Sequence, residues 1–126
     1  MTMLRVFLNG CNGHMGQVVE NICVTSKKAL VVAGADINTA AKDYPVYANA
    51  IDCTEEFDVI IDFSHVKALP GIFALAEAKG KPIIVCTTGL SDADKSTLFQ
   101  LSEKVPVFYS GNMSLGINVL IHLVKK

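Results

Sequence analysis

Leu4-Arg5-Val6-Phe7-Leu8-Asn9-Gly10-Cys11-Asn12-Gly13-His14-Met15-Gly16 is the stretch on which the reading of this chain turns. A short apolar run enters three glycines spaced three residues apart, and an apolar-periodic segment follows at once. A chain built this way brings backbone N–H groups and a helix N-terminus up to a phosphate. In that reading Gly10 lets the chain turn tightly out of a strand. Gly13 removes a side chain that would block a pyrophosphate, and Gly16 lets the helix pack closely on the sheet. The spacing is Gly-x-x-Gly-x-x-Gly rather than the commoner Gly-x-Gly-x-x-Gly. Glycines can serve a strand-to-helix turn for local reasons alone. The strand before and the helix after them raise the pattern to an expectation of nucleotide binding.

Working outward, the 126 residues amount to one domain, long enough for a real core. Half the residues are apolar, and 11 basic residues balance 12 acidic ones. Such a balance leaves no electrostatic footprint for nucleic acid or an anionic membrane surface. Apolar runs such as Val59–Ile61 and Ile83–Cys86 fall far short of the roughly 20 residues a membrane span needs. Met1–Leu8 lacks the apolar length of a signal peptide, so a cytoplasmic protein is expected. Cys11, Cys23, Cys53 and Cys86 show neither C-x-x-C spacing nor a His at metal-ligand spacing. Reduced thiols and no metal site are expected, with Cys23 and Cys86 as small core residues.

Apolar runs alternate with helical patterns along most of the chain. Strands are predicted at Leu4–Leu8, Leu30–Asp36, Val59–Asp62, Pro82–Cys86 and Val107–Tyr109. Helices are predicted at His14–Thr25, Ala68–Lys79, Ala93–Lys104 and Gly116–Val124. Gly80 closes the second helix, Pro70 fits its first turn, and Ser91 with Asp94 forms a capping box. Several strands are continuous Val/Ile runs with no polar alternation, so both faces are covered. The predicted class is α/β: a doubly wound parallel sheet in a three-layer α/β/α arrangement. Residues 38–57 are ambiguous between a short strand near Val46–Tyr47 and a helix at Thr39–Lys42.

Ligands of open parallel sheets lie beyond the carboxyl ends of the strands. The first strand ends in the glycine loop. The second ends at Asp36, twenty residues past Gly16, where a carboxylate can accept from adenosine ribose hydroxyls. Asp36 repels a 2′-phosphate and Ile37 brings no offsetting cation, so NADH is expected to be preferred over NADPH. The competing reading makes Asp36 an ordinary turn residue. The other ends are Asp62-Phe63-Ser64-His65, Cys86-Thr87-Thr88-Gly89 and Ser110-Gly111-Asn112-Met113-Ser114-Leu115-Gly116. Phe63 could pack beside a cofactor, while Asp62 and Ser64 could equally cap the next helix. His14 could donate to a phosphate or be solvated. His65 could be a proton donor or an exposed loop residue, and His122 reads as surface. No Ser/His/Asp or Cys/His arrangement follows from the spacing.

Gly-x-x-Gly-x-Met-Gly at 10–16, Asp-Phe-Ser at 62–64, Thr-Thr-Gly at 87–89 and Asn-Met-Ser-Leu-Gly-Ile-Asn at 112–118 occur in that order. In this the chain resembles the N-terminal part of the 4-hydroxy-tetrahydrodipicolinate (dihydrodipicolinate) reductase family of lysine and diaminopimelate biosynthesis. The resemblance covers essentially all of it, and the last motif is the most specific. It implies a Rossmann-type NAD(P)-binding domain at 1–126. Gly10, Cys11, Asn12, Gly13, His14 and Met15 would lie at the pyrophosphate, with Asp36 on the adenosine ribose. Cys86-Thr87-Thr88 and Ser110-Gly111-Asn112-Met113 would surround the nicotinamide and its ribose.

Two positions depart from the family pattern: Cys86 stands where Gly is usual, and His14 where a basic residue is common. The family's substrate and tetramerisation domain, with its His-His pair, Lys and Pro-Ser-Gly-Thr segment, has no counterpart here. The resemblance therefore implies no catalytic residue in this chain and no turnover by it alone. The cyclic dicarboxylate would bind only in the intact enzyme, implied to be a homotetramer, while this piece could be monomeric. Two alternatives stay open: a non-catalytic nucleotide-sensing module, and the cofactor half of another amino-acid or semialdehyde dehydrogenase. Motifs 87–89 and 112–118 weigh against the first, and the Asn-Met-Ser-Leu-Gly run weighs against the second.

Overall fold

A computed structural model describes residues 4–40 and 42–109. Six strands form one sheet: β1 Leu4–Asn9, β2 Ala29–Ala35, β3 Val46–Tyr47, β4 Val59–Asp62, β5 Ile83–Val85 and β6 Val107–Tyr109. Their spatial order is β3-β2-β1-β4-β5-β6, and every pair is parallel. Helices α1 (His14–Ser26), α2 (Leu69–Lys79) and α3 (Asp92–Ser102) follow β1, β4 and β5.

The strands are apolar on both faces because helices cover both. Phe7, Ile60, Ile83 and Val85 pack with Phe57, Leu69, Ile72, Leu75 and Leu98 on the side of α2 and α3. Val6, Leu8, Val59, Ile61 and Ile84 pack with Val19 and Cys23 on the side of α1. Neighbours along each strand thus serve opposite layers, as the two-residue period requires. The predicted three-layer α/β/α class is the observed one.

Boundaries follow local chemistry. Gly80 terminates α2 in the left-handed conformation (φ 64°), and Pro70 sits in its first turn. At the start of α3, Ser91 Oγ accepts from the Asp94 N–H at 3.1 Å while the Asp94 carboxylate accepts from the Ser91 N–H at 3.1 Å. Ala68 belongs to a 3₁₀ turn, Val66–Ala68, rather than to α2. Strand β2 stops one residue before Asp36. The strand alternative at Val46–Tyr47 forms, pairing with Gly34 and Ala35 of β2. No helix begins at Thr39, because side chains take the backbone donors. Asp36 Oδ1 accepts from the Asn38 N–H and Asn38 Oδ1 from the Ala40 N–H, both at 3.0 Å. A 3₁₀ turn at Ala50–Asp52 was not legible from periodicity. The predicted helix Gly116–Val124 lies outside the described residues.

None of the four cysteines forms a disulfide, and all are buried. Burial pushes the Cys23 thiol up to about 11 and the Cys86 thiol up to about 12, so both pack as small neutral hydrophobes. Among the described residues no helix is long and apolar enough to cross a membrane.

Candidate functional site

The glycine loop closes on itself through its backbone. The Gly10 N–H donates to the Ala35 carbonyl at 2.7 Å, and the Gly13 N–H to the Gly10 carbonyl at 3.0 Å. Gly10 holds φ +87°, and a Cβ there would lie 2.6 Å from the Phe63 carbonyl oxygen. The loop can therefore pass against the end of β4 only at a glycine. Gly16 has a different role from the one predicted. A Cβ on it would lie 2.4 Å from the Cys11 carbonyl oxygen and 2.8 Å from that of Gly10. It makes room for the loop's own backbone rather than for helix-on-sheet packing.

Gly13 caps α1 and so offers no side chain to the first-turn amides, and no carboxylate stands in that turn. Those N–H groups and the positive end of the helix dipole lie beside the loop. The loop is tied to the end of β2 by Asp36, whose Oδ2 accepts from the Asn12 N–H at 2.9 Å. Asn12 returns the tie, donating from Nδ2 to the Asn38 carbonyl at 2.6 Å. Asp36 thus spends one lone pair of each carboxylate oxygen internally and keeps further acceptor capacity for a ligand.

A cleft of about 680 Å³ opens here, within the range of small-molecule and cofactor sites. Its lining includes Asn9, Gly10 and Gly13 on one side and Asp36 and Ile37 on another. Residues Ala48–Asp52 form a further wall, and Phe63, Ser64, His65 and Lys67 close the remainder. Ile37 is 95 % exposed, an apolar side chain held in water at the rim. Of the predicted residues, Gly10, Gly13, Asp36 and Phe63 line this cleft. Asn12 supports it from behind, while His14 is exposed and Met15 half-buried at the start of α1.

Cys11 turns its thiol inward. It is fully buried, packed where a Cβ on Gly34 would meet its Sγ at 2.8 Å, and burial pushes it up. Only its backbone remains at the loop, and its carbonyl accepts from Lys42 Nζ at 2.9 Å. Cys86 is also buried in the core. Thr87 is buried at the end of β5, whereas Thr88 is exposed. Ser110, Gly111, Asn112 and Met113 lie outside the described residues.

Asp62 and Ser64 cap no helix. Asp62 is buried and bonded to Asn9, Ser64 and Thr87, and the turn that follows is capped by His65, whose Nδ1 accepts from the Lys67 N–H at 3.3 Å. The wall at Ala48–Asp52 was missed because the ambiguous 38–57 segment hid its position. The edge strand at Val46–Tyr47, once paired with β2, brings it over the loop. Among the described residues no group of three His, Cys, Asp or Glu side chains is arranged to hold a metal ion.

The sheet order, the glycine loop running into a helix with no side-chain cap and the carboxylate beyond the second strand define a Rossmann-type NAD(P)-binding domain. The groups present fit a dinucleotide: helix amides that donate for a pyrophosphate, a carboxylate that accepts for ribose hydroxyls and an apolar rim for a base. Comparison with known proteins narrows the class. Residues 4–113 match the family described as dihydrodipicolinate reductase, N-terminus, and the chain belongs to that family. It is 45 % identical over 124 residues to 4-hydroxy-tetrahydrodipicolinate reductase of Caldanaerobacter subterraneus subsp. tengcongensis, covering 98 % of this chain and 49 % of that protein. It is 41 % identical over 126 residues to the Clostridium perfringens reductase, covering 98 % and 50 %.

The chain thus spans about half the length of the curated relatives it matches. Among solved structures it resembles dipicolinate-bound dihydrodipicolinate reductase from Paenisporosarcina sp. TG-14. The TM-score is 0.72 at 22 % identity, over 90 % of this chain and 49 % of that one. The WlbA dehydrogenase of Chromobactrium violaceum, in complex with NADH and UDP-GlcNAcA, gives a TM-score of 0.69 at 16 % identity, over 86 % and 35 %. At such identities the likeness is one of fold.

Proposed function

We propose that this chain holds NAD(P)H for a 4-hydroxy-tetrahydrodipicolinate reductase, with NADH the preferred form. The bound nicotinamide supplies hydride to a cyclic dicarboxylate, at a carbon–carbon double bond conjugated to its imine. The observation that carries the cofactor reading is Asp36. Its carboxylate lines the cleft, holds the Asn12 N–H of the glycine loop and is followed by an exposed Ile37. A ribose with free hydroxyls satisfies that carboxylate's remaining acceptor sites, whereas a 2′-phosphate meets like charge with no cation beside it. Gly10, Gly13 and the first turn of α1 take the pyrophosphate, and Phe63 packs along the cofactor. Thr87, Thr88 and Ser110–Met113 take the nicotinamide end. The dicarboxylate and the proton donor belong to the intact enzyme, and this chain alone is expected to show no turnover.

Calorimetric titration with NADH, NADPH and adenosine diphosphate tests this. NADH should bind more tightly than either. Asp36→Ala should weaken NADH by tenfold or more, about 1.5–3 kcal/mol for a charge-assisted hydrogen-bonding group. Tighter binding of NADPH than of NADH would refute the role given to Asp36. Equal affinity for adenosine diphosphate and NADH would favour a nucleotide-sensing module instead.

A further inference from the structure

Asp62 ends β4 with 0 % exposure. Its Oδ1 accepts from Asn9 Nδ2 at 2.9 Å, from Ser64 Oγ at 2.5 Å and from the Ser64 N–H at 3.3 Å. Its Oδ2 lies 2.5 Å from Thr87 Oγ1. The same Thr87 oxygen accepts from the Ser64 N–H at 3.1 Å and lies 3.1 Å from the Ser64 carbonyl oxygen. Thr87 has one hydroxyl proton. With Asp62 ionised, its Oδ2 and the Ser64 carbonyl compete for that proton, and one of the two oxygen–oxygen contacts is left without a hydrogen.

A proton on Asp62 Oδ2 removes the conflict. Asp62 then donates to Thr87, Thr87 donates to the Ser64 carbonyl, and each of these polar atoms has a partner. The charge balance favours the same state. On β1 Asp62 pairs with Asn9 and on β5 with Val85, and Cys86, just past β5, donates its N–H to the Asp62 carbonyl. The titratable one of these, the Cys86 thiol, is itself neutral, pushed up to about 12 by burial. Burial raises the Asp62 carboxyl and outweighs the lowering by Ser64, Thr87 and Asn9. A fully buried carboxylate lacking a cation is costly, and neutralisation is the usual relief.

We propose that Asp62 stands as a neutral carboxylic acid near physiological pH and is a positioning residue for the cofactor cleft. Through Thr87, just past β5, it locks the Ser64 carbonyl, and through Asn9 it ties the end of β4 to that of β1. Asn9, Phe63 and Ser64 are cleft-lining, so this network sets the wall against which the dinucleotide lies. The positioning role rests on the dinucleotide reading above. The protonation state does not.

The test is a carbon-13 carboxyl titration of the chain labelled at aspartate, combined with NADH titration across pH. One resonance should be that of a neutral acid near physiological pH, should ionise only in the alkaline range and should vanish in Asp62→Asn. Asp62→Asn keeps an acceptor toward Asn9 and Ser64 and supplies a donor toward Thr87, so its NADH affinity should stay within about threefold of the parent, while Asp62→Ala loses about tenfold. The parent's affinity should fall as alkali ionises Asp62, and that of Asp62→Asn should not. Should Asp62→Ala fail to fold, Thr87→Val, which removes the relay hydroxyl at nearly constant shape, should shift the Asp62 resonance, a readout that a lost nicotinamide contact would not move. An Asp62 resonance already ionised near neutrality, or Asp62→Asn as weak as Asp62→Ala, overturns the proposal. A chain with the neutral-acid resonance but no NADH binding overturns the dinucleotide reading and upholds the protonation state.

Discussion

Single side chains, and single missing ones, shape the loop. At Gly16 the constraint comes from two carbonyl oxygens of the preceding turn, which point at the helix where a Cβ would stand. Gly16→Ala therefore cannot be relieved by a rotamer change and has to move backbone. It should destabilise the domain by about 1–3 kcal/mol, the usual cost of overpacking, and should weaken NADH because the displaced carbonyls belong to the loop itself. Urea unfolding with NADH titration of the same variant checks both. Asp36 and Cys11 show how differently two loop-adjacent residues can be used. Asp36 keeps its carboxylate at the cleft, whereas the Cys11 thiol is committed to the core.

Elements are held together around that loop by a cluster on its far side. Lys42, in the connection from β2 to β3, donates from Nζ to the Cys11 carbonyl at 2.9 Å and to Glu20 of α1 at 2.5 Å. Tyr44 donates its hydroxyl to the same carboxylate, and its ring lies 5.9 Å from the Lys42 ammonium. Burial and the Glu20 carboxylate push the Tyr44 hydroxyl up, so it remains a donor. One ammonium thus bridges loop, helix and connection without lining the cleft. Lys42→Met should preserve the fold but weaken NADH by about threefold to tenfold, reflecting a lost charged hydrogen bond transmitted through the loop. Calorimetry beside a thermal melt separates this from plain destabilisation. An unchanged affinity would mean that the loop holds its shape through its own backbone.

Across the domain as a unit, stability rests on two apolar layers flanking one sheet. Phe7 and Phe57, with ring centroids 5.5 Å apart at 49°, anchor the layer under α2. Phe57 is 1 % exposed and lies in the chain leading into β4 rather than in a strand. Phe57→Ala should cost about 3–5 kcal/mol, seen as a lowered urea midpoint with the slope retained. The loss should act on every strand end at once, since the cleft is only a seam between those ends. A loss below about 1 kcal/mol would show that this layer relaxes to fill the space.

Much of this architecture was legible along the chain because its signals are local. A glycine run between an apolar strand and an apolar helix, Gly80 after α2 and the Ser91–Asp94 box each depend on a few neighbouring residues. The unbroken Val/Ile strands announced a sheet buried on both faces. Asp36 could be found because it sits at a strand end a set distance beyond the loop. The remainder depends on contacts between segments far apart in sequence. The 38–57 stretch became a wall of the cleft only once β3 paired with β2. Gly16 proved to serve the carbonyls of Gly10 and Cys11, and Cys11 turned inward because Gly34 left space for its sulfur. Asp62, readable along the chain as a helix cap, caps none. Three strand ends converge on it, and burial without a countercharge, which no local pattern encodes, sets what its carboxyl can do.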